Sequence, residues 1–393
     1  MDRRPLTVVI PARGGSKGIP RKNLAVVGGR PLVAWTVAAA AGAESVDRVV
    51  VSTDSPAIGA VARLYGGSRV VVHERSAQTA TDTATSESAL VEAVRHLGVT
   101  GDVALVQATS PLLTGAVLDE VAARLATHDS ALTVVRRHQF HWAEDGDSGR
   151  ALDYDPAARP RRQDWNGSLV ETGAAYATSA QRLLGSGVRI SGRIGLVETG
   201  EADAVEIDSP TDLLVVDGLL RALRVRPAKV VPGPVRLVVA DVDGVLTDNG
   251  LTYGTIETET KTFSARDGKG FQLLREAGVR TALLTSERHE SVAERARKLR
   301  ADDVVLGSTD KLADLVALSE RHGVPLGQIA FLGDDVHDVP AMVAAGVAGA
   351  PADARPEARD AADVVVPAAG GAGAFRAFVD HLFTRHVPRA GLG

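Results

Sequence analysis

Two stretches hold carboxylates at a spacing suited to a cation. In "VVADVDGVLTD", Asp241 follows an apolar run and Asp243 comes two residues later. Two carboxylates at a strand end repel and desolvate each other unless a cation joins them. In "AVEIDSPTDL", Glu206 and Asp208 are again two apart. On a strand, residues i and i+2 face the same way, so both could meet one Mg2+. After Asp241 further polar residues fall in order. Thr285 ends the run "RTALLTSE", Lys311 opens a helical pattern after "GSTD", and Asp334, Asp335 and Asp338 end "QIAFLGDDVHD". His337, inside that last string, reads as a packed or exposed neighbour, since no histidine falls at metal-ligand spacing in a motif.

The opposite charge gathers near the N-terminus. "IPARGGSKGIPRKNL" carries three glycines, two prolines and four cations (Arg13, Lys17, Arg21, Lys22) in fifteen residues, directly after the apolar run "LTVV". A loop so flexible and positive suits an anion, and the backbone N–H groups of Gly14, Gly15 and Ser16 can cradle phosphate oxygens. A Walker loop needs Gly-x4-Gly-Lys-Ser/Thr and a dinucleotide loop Gly-x-Gly-x-x-Gly; "GGSKG" fits neither, so an NTPase or a dehydrogenase is not supported.

Alternating elements must position these groups. "LTVVIP", "RVVVST", "RVVVH" and "DVALVQA" read as strands between Ala-rich helical segments such as "PLVAWTVAAAAGA", whose Trp35 falls on an apolar face. Apolar strands between helices indicate a parallel sheet covered on both faces, with ligands at the carboxyl ends of the strands. A break follows at "RVRPAKVVPGPVR", where Pro227, Pro232 and Pro234 cannot continue a helix. The alternation restarts with "RLVVADVDG". The expected fold class is α/β: two Rossmann-like three-layer αβα domains with mainly parallel sheets, spanning 1–226 and 235–393 and joined by a linker at 227–234.

The totals fit that division. The 393 residues exceed one usual domain, and 45% hydrophobic with 24% charged is a globular balance. A net charge of −5 argues against a nucleic-acid binder. With no cysteine, thiolate metal sites and cysteine nucleophiles are absent. No apolar run suits a signal peptide or a membrane span, so the expectation is a cytoplasmic protein.

Asp-x-Asp, Thr, Lys and Asp-Asp in this order resemble the haloacid-dehalogenase-type phosphatases. The resemblance implies that Asp241 attacks phosphorus and forms an aspartyl-phosphate. It implies that Asp243 protonates the leaving alcohol and later activates water. Thr285 and Lys311 would hold phosphoryl oxygens, and Asp334, with Asp241 and the Asp243 carbonyl, would bind Mg2+, Asp335 lying beside it. A dianionic phosphate and an attacking carboxylate need such a cation between them. "DVDGVLTDN", "FSARDGKG", "STDKL", "GDDVHD" and "GGAGAFR" narrow the resemblance to small, capless phosphatases of ulosonic-acid phosphates. These complete their sites as tetramers, which implies that Arg376 reaches a neighbour's site. Glu287 and Lys298, eleven residues apart, resemble the pair in members acting on nine-carbon acids.

"IPARGGSKGIPRKNL" resembles the signature of the sialic-acid cytidylyltransferases, in the nucleotide-diphospho-sugar transferase-like fold. By that resemblance Arg13, Gly14, Gly15, Ser16, Lys17, Lys22 and Asn23 would hold the triphosphate of CTP, and Arg13, Lys17 and Lys22 would act in catalysis. "ERSAQTATDTATSESAL" resembles the cytidine segment, implying contacts from Arg75, Ala84 and Ser86; Asp82 there also reads as a helix cap. "QATSPLL" resembles the sugar-contacting turn, with Gln107 as hydrogen-bonding residue. Tyr176 is a further sugar-binding candidate. In "RPRRQDWNG", Arg162 matches the arginine that holds the sugar carboxylate, which a guanidinium can bind bidentately. Two departures stand out: Glu206 where the family has Asp, and Thr172 where it commonly has Asn. The implied reaction is attack of the C2 hydroxyl of a 2-ulosonic acid on the α-phosphorus of CTP, with Mg2+ in both domains. No side chain is an obvious general base.

The same order of halves occurs in animal CMP-sialate synthetases. The resulting expectation is an enzyme that frees a sialic-type nonulosonic acid (N-acetylneuraminate or Kdn) from its 9-phosphate and couples it to CMP, as a homotetramer. Two rivals stay open: a C-terminal half that only oligomerises, and a different acceptor, another ulosonate or a phosphonate.

Overall fold

The structure, a computed structural model, describes residues 5–16, 18–81, 83–223, 226–250, 252–253 and 259–388, with only the backbone at 252, 253 and 259. The fold is α/β with mainly parallel sheets. In the first sheet the strand order is Ile194–Thr199, Ser130–Arg137, Ser168–Ser179, Asp102–Val106, Leu6–Pro11, Val46–Thr53 and Val70–Glu74. Strand Leu6–Pro11, built from "LTVVIP" and buried along Leu6–Ile10, runs parallel to both neighbours. Strand Ser168–Ser179 alone runs antiparallel to its neighbours, Asp102–Val106 and Ser130–Arg137. Its register shifts between Glu171 and Tyr176. Gly173 takes a positive φ of 76° there, and Thr172 is buried with its Oγ1 2.6 Å from that of Thr133.

The second sheet has the order Asp303–Val305, Arg280–Leu284, Leu237–Ala240, Ile329–Leu332, Val347–Ala350 and Val364–Val365. Every neighbouring pair in it is parallel. From Leu237–Ala240 the chain adds strands first on one side and then on the other, which opens a crevice at the carboxyl ends. Ala240 pairs with Leu332, and the Asp241 N–H donates to the Leu332 carbonyl at 2.9 Å. Residues 241 and 333–338 therefore leave the sheet side by side.

Local signals set the helices that flank these crevices. Pro56–Gly66 starts with proline in its first turn and the Ser55 hydroxyl accepting from Ile58 N; Lys311–His322 starts after Asp310, which accepts from Ala313 N. One apolar core crosses from sheet to sheet: Ile10, Val51, Ile58 and Val61 cluster with Leu312, Leu315, Val316 and Val343. Trp35 belongs to a smaller core group, its Nε1 donating to Val27 O at 3.0 Å. Residues 226–234 form neither helix nor strand, yet they are pinned. Arg226 and Lys229 pair with Asp360 and Asp363 at 2.6 and 2.8 Å, and Val230 N donates to Leu64 O at 2.7 Å. Tyr65, buried and therefore held neutral with its pKa raised, donates to Val343 O at 2.8 Å.

Candidate active sites

At the mouth of the second sheet, carboxylate oxygens of Asp241, Asp334 and Asp338 lie within 4.8 Å of one another, all three residues buried. Lys311, the first residue of its helix, reaches Asp241 Oδ2 at 2.9 Å and Asp338 Oδ1 at 2.6 Å. Burial alone would lower the lysine; the two carboxylates outweigh it and hold its ammonium above the usual range. Burial and then Asp338 raise Asp241 far above an ordinary carboxylate, against the pull of Lys311. The same two causes push Asp334 up to about 7. Three carboxylates against one ammonium leave an excess of negative charge in a dry site, and Asp334 Oδ1 is buried without a hydrogen-bond partner. Such a donor set fits a divalent cation.

Gly244 makes this arrangement possible. Its φ is +76°, and a Cβ there would fall 1.9 Å from Asp334 Oδ2. Asp243 points elsewhere: its Oδ1 accepts from Lys261 Nζ at 2.6 Å and Thr247 Oγ1 at 3.2 Å, and its Oδ2 is buried without a partner. Thr285 is buried at the end of Arg280–Leu284, its hydroxyl accepting from Glu287 N at 3.1 Å.

The third carboxylate is Asp338, not Asp335. Asp335 turns its Oδ1 back to Val336 N at 2.6 Å. A turn closed by Asp338 N on Asp335 O, 2.9 Å, swings Asp338 back, so that its Oδ2 accepts from the N–H groups of Asp334 and Asp335. Spacing along "GDDVHD" favours neighbours, whereas the turn favours the residue four positions on. His337 is exposed. Lys261 had no signal beyond being a lysine in a polar stretch. Glu287 precedes the helix Glu290–Leu299 and Lys298 lies in its last turn, both exposed. Arg376 sits in the helix Ala374–Arg385 with its Nε 3.0 Å from Asp380.

At the first sheet, the residues after Leu6–Pro11 form the expected loop. Gly14 N donates to Asp54 Oδ1 at 2.7 Å, and the buried Asn23 donates from Nδ2 to Arg13 O at 2.9 Å. Gly15 is exposed and Ser16 partly so; Lys17 lies outside the described residues. Lys22 donates to Ile207 O at 2.8 Å and pairs with Asp208 at 3.2 Å, joining the loop to the acidic pair. Residues 205–208 are not a strand. Ile207 N donates to Thr109 O at 3.0 Å, and the two carboxylates still share one electrostatic neighbourhood. Burial and then Asp208 raise Glu206, while Ser110 and Lys22 lower it. Gly173 lies under Glu206: a Cβ would meet Oε1 at 1.9 Å. The close approach and the positive φ both require glycine at 173, inside the register shift beside Thr172.

Gln107 follows Asp102–Val106, its N–H on Ala174 O at 3.0 Å, so the "QATSPLL" turn abuts the Glu206 segment. Arg75 is buried and donates to Thr79 O; burial lowers its pKa against nearby Asp54 and Glu92. Glu92, which belongs to no motif in the sequence, fixes this loop by accepting from Ser76 N at 3.0 Å and from the Thr79 hydroxyl. Ala84 and Ser86 stand at the head of Ser86–His96, capped by Thr85; Asp82 lies outside the described residues. Tyr176 packs in the core, its hydroxyl on Glu171 at 2.9 Å, and burial followed by that bond pushes it up to about 12. Arg162 is exposed in a short turn, 3.5 Å from Glu201.

Known proteins match both regions. The family described as "Cytidylyltransferase" matches residues 7–192. The N-acylneuraminate cytidylyltransferase A of Danio rerio is 34% identical over 388 residues, 96% of this chain and 89% of that protein. The 3-deoxy-D-manno-octulosonate 8-phosphate phosphatase KdsC of Haemophilus influenzae is 36% identical over 146 residues, 37% of this chain and 81% of that protein. A crystal structure of the Moraxella catarrhalis 3-deoxy-D-manno-octulosonate 8-phosphate phosphatase is 33% identical, covers 38% of this chain and 86% of its own, and has a TM-score of 0.38. A positive loop joined to an acid pair, and a buried carboxylate cluster beside a lysine, thus stand in a sequence that an N-acylneuraminate cytidylyltransferase matches over 96% of its length: the chain belongs to the N-acylneuraminate cytidylyltransferase family, with a further stretch of the haloacid-dehalogenase-type phosphatase kind.

Proposed function

We propose that the chain removes the 9-phosphate from a sialic-type nonulosonic acid phosphate and then couples the freed acid to CMP from CTP. The observation that carries this reading is the buried Asp241–Asp334–Asp338 cluster with Lys311, in a chain that a cytidylyltransferase relative matches over 96% of its length. The named substrates of the relatives, N-acylneuraminate and an octulosonate 8-phosphate, support an ulosonic acid in both steps. Residues 1–226 serve as the cytidylyltransferase unit and 235–393 as the phosphatase unit, in a cytoplasmic homotetramer in which Arg376 reaches a neighbouring site. Among the described residues no helix is long and apolar enough to cross a membrane.

In the phosphatase unit Asp241 attacks phosphorus and carries the phosphoryl group as an ester, while Lys311 and Thr285 hold its oxygens. Asp243 delivers a proton to the departing sugar oxygen and takes one from water in the second half-reaction. Mg2+ held by Asp241, Asp334, Asp338 and the Asp243 carbonyl would offset the charge between carboxylate and phosphate. In the transferase unit Arg13, Lys17, Lys22, Asn23 and the Gly14–Ser16 backbone hold the triphosphate, with Arg75, Ala84 and Ser86 at the cytidine. Gln107, Tyr176 and Arg162 orient the acid, and Glu206 with Asp208 would hold a second Mg2+. A panel of free and 9-phosphorylated nonulosonic acids tests this. Pyrophosphate from CTP with a free acid and phosphate from its 9-phosphate are expected; no phosphate from any sugar phosphate overturns the first step, and no pyrophosphate overturns the second.

A further inference from the structure

The helix Lys311–His322, which begins with the phosphatase lysine, packs against its own unit and also against the other one. Leu312, Leu315 and Val316 share one buried cluster with Ile58, Val61 and Ala62 of the helix Pro56–Gly66. That second helix in turn begins against the nucleotide loop: its cap, Ser55, lies next to Gly14, whose N–H is held by Asp54 at 2.7 Å. A 290 Å3 cavity between loop and helix is lined on one side by Gly14, Arg21 and Ser55, and on the other by Asp310, Ala313 and Val316.

One charged contact closes this junction. Arg21 of the loop lies against Asp310, the residue that caps the lysine's helix. Asp310 divides its carboxylate: Oδ1 accepts from Ala313 N at 3.2 Å, while Oδ2 meets the Arg21 guanidinium as an ion pair out of line for a hydrogen bond. Arg21 itself is held at a φ of 51°, a left-handed conformation costly for a side-chain-bearing residue, by the turn that places Leu24 N on its carbonyl at 2.8 Å. That turn also carries Lys22 and Asn23. One residue beyond Asp310, Lys311 reaches Asp241 and Asp338.

We propose that Arg21 is a positioning residue of the phosphatase site: through Asp310 it fixes the first turn of the lysine's helix, and so the place of the Lys311 ammonium. The inference rests on the phosphatase reading above. The cation on which that site depends for its alignment therefore belongs to the loop that holds nucleotide in the other unit.

The test uses the full chain and phosphate release from a 9-phosphorylated nonulosonic acid. For Arg21→Gln we expect kcat to fall about five-fold with KM nearly unchanged, equivalent to about 1 kcal/mol in the barrier. Asp310→Asn is expected to do the same, and the double variant to be no worse than either single one, because both break one contact. Arg21→Lys is expected to restore most of kcat, and thermal midpoints of all variants separate this from unfolding. Wild-type kcat in Arg21→Gln, or fully additive losses in the double variant, overturns the inference and leaves the phosphatase reading standing. An absence of phosphate release from the wild type overturns both.

Discussion

Replacing Lys311 by methionine tests the charge balance of the phosphatase site. The lysine side chain is 5% exposed and is the cation found within ion-pair distance of both Asp241 and Asp338. Methionine keeps the apolar length and removes the ammonium. Three carboxylates whose oxygens fall within 4.8 Å would then share a dry site with no cation. Removing one partner of a buried ion pair costs about 3–5 kcal/mol. Each kcal/mol moves the midpoint of a domain of this size by roughly 2–4 °C, so a fall of about 10 °C is expected in chelator. A cation that binds the folded site alone returns about 2.7 kcal/mol at a hundred times its Kd, so saturating Mg2+ should recover a large part of the loss. Calorimetry of the full chain, wild type and variant, with chelator and with Mg2+, reads both numbers. The variant should gain more from Mg2+ than the wild type does. An unchanged midpoint in chelator, or an equal Mg2+ response in the two proteins, would show that Lys311 does not neutralise this cluster and would refute the reasoning.

Other outcomes follow from single contacts. Gly244→Ala places a Cβ 1.9 Å from Asp334 Oδ2 at a φ of +76°, so phosphate release should be lost while pyrophosphate release from CTP stays. Glu206→Gln should cut pyrophosphate release about 100-fold, the usual effect of losing one charge-stabilising group, and leave phosphate release intact; equal losses in both assays would count against two separate sites. Burial brings Lys229 down to about 8 against Asp363, which pulls the other way. Its folded pKa therefore lies below the unfolded value, so the unfolded chain binds the extra proton between about pH 8 and 10.5. This group's contribution to stability rises with pH across that window, by up to about 3 kcal/mol. Urea titrations of wild type and Lys229→Met should diverge there; parallel pH profiles would show that the lysine is not held this way.

Much of the architecture was legible because strands such as "LTVVIP" and "RLVVA" are apolar on both faces, which only a doubly covered sheet requires. Asp241 and Lys311 were legible because each sits where an element begins or ends. What escaped depends on contacts between distant residues. Asp338 enters the cluster through a turn that spacing alone does not favour. The segment 205–208 carries its acids without being a strand, because Ile207 is held by a loop at Thr109 and not by a strand partner. Lys261 reaches Asp243 from eighteen residues away, and Glu92 steadies the Arg75 loop from the helix Ser86–His96. The pinning of 226–234 by Asp360 and Asp363 was equally hidden: prolines announce a break in helix, and say nothing about what clasps the chain beyond it.

Asp241→Asn in the full chain, assayed side by side for phosphate from a 9-phosphorylated nonulosonic acid and for pyrophosphate from CTP with the free acid, tests the central claim most directly. The account predicts that phosphate release disappears and pyrophosphate release continues at the wild-type rate. Full-rate phosphate release by the variant, or the loss of both activities in a folded protein, would contradict it.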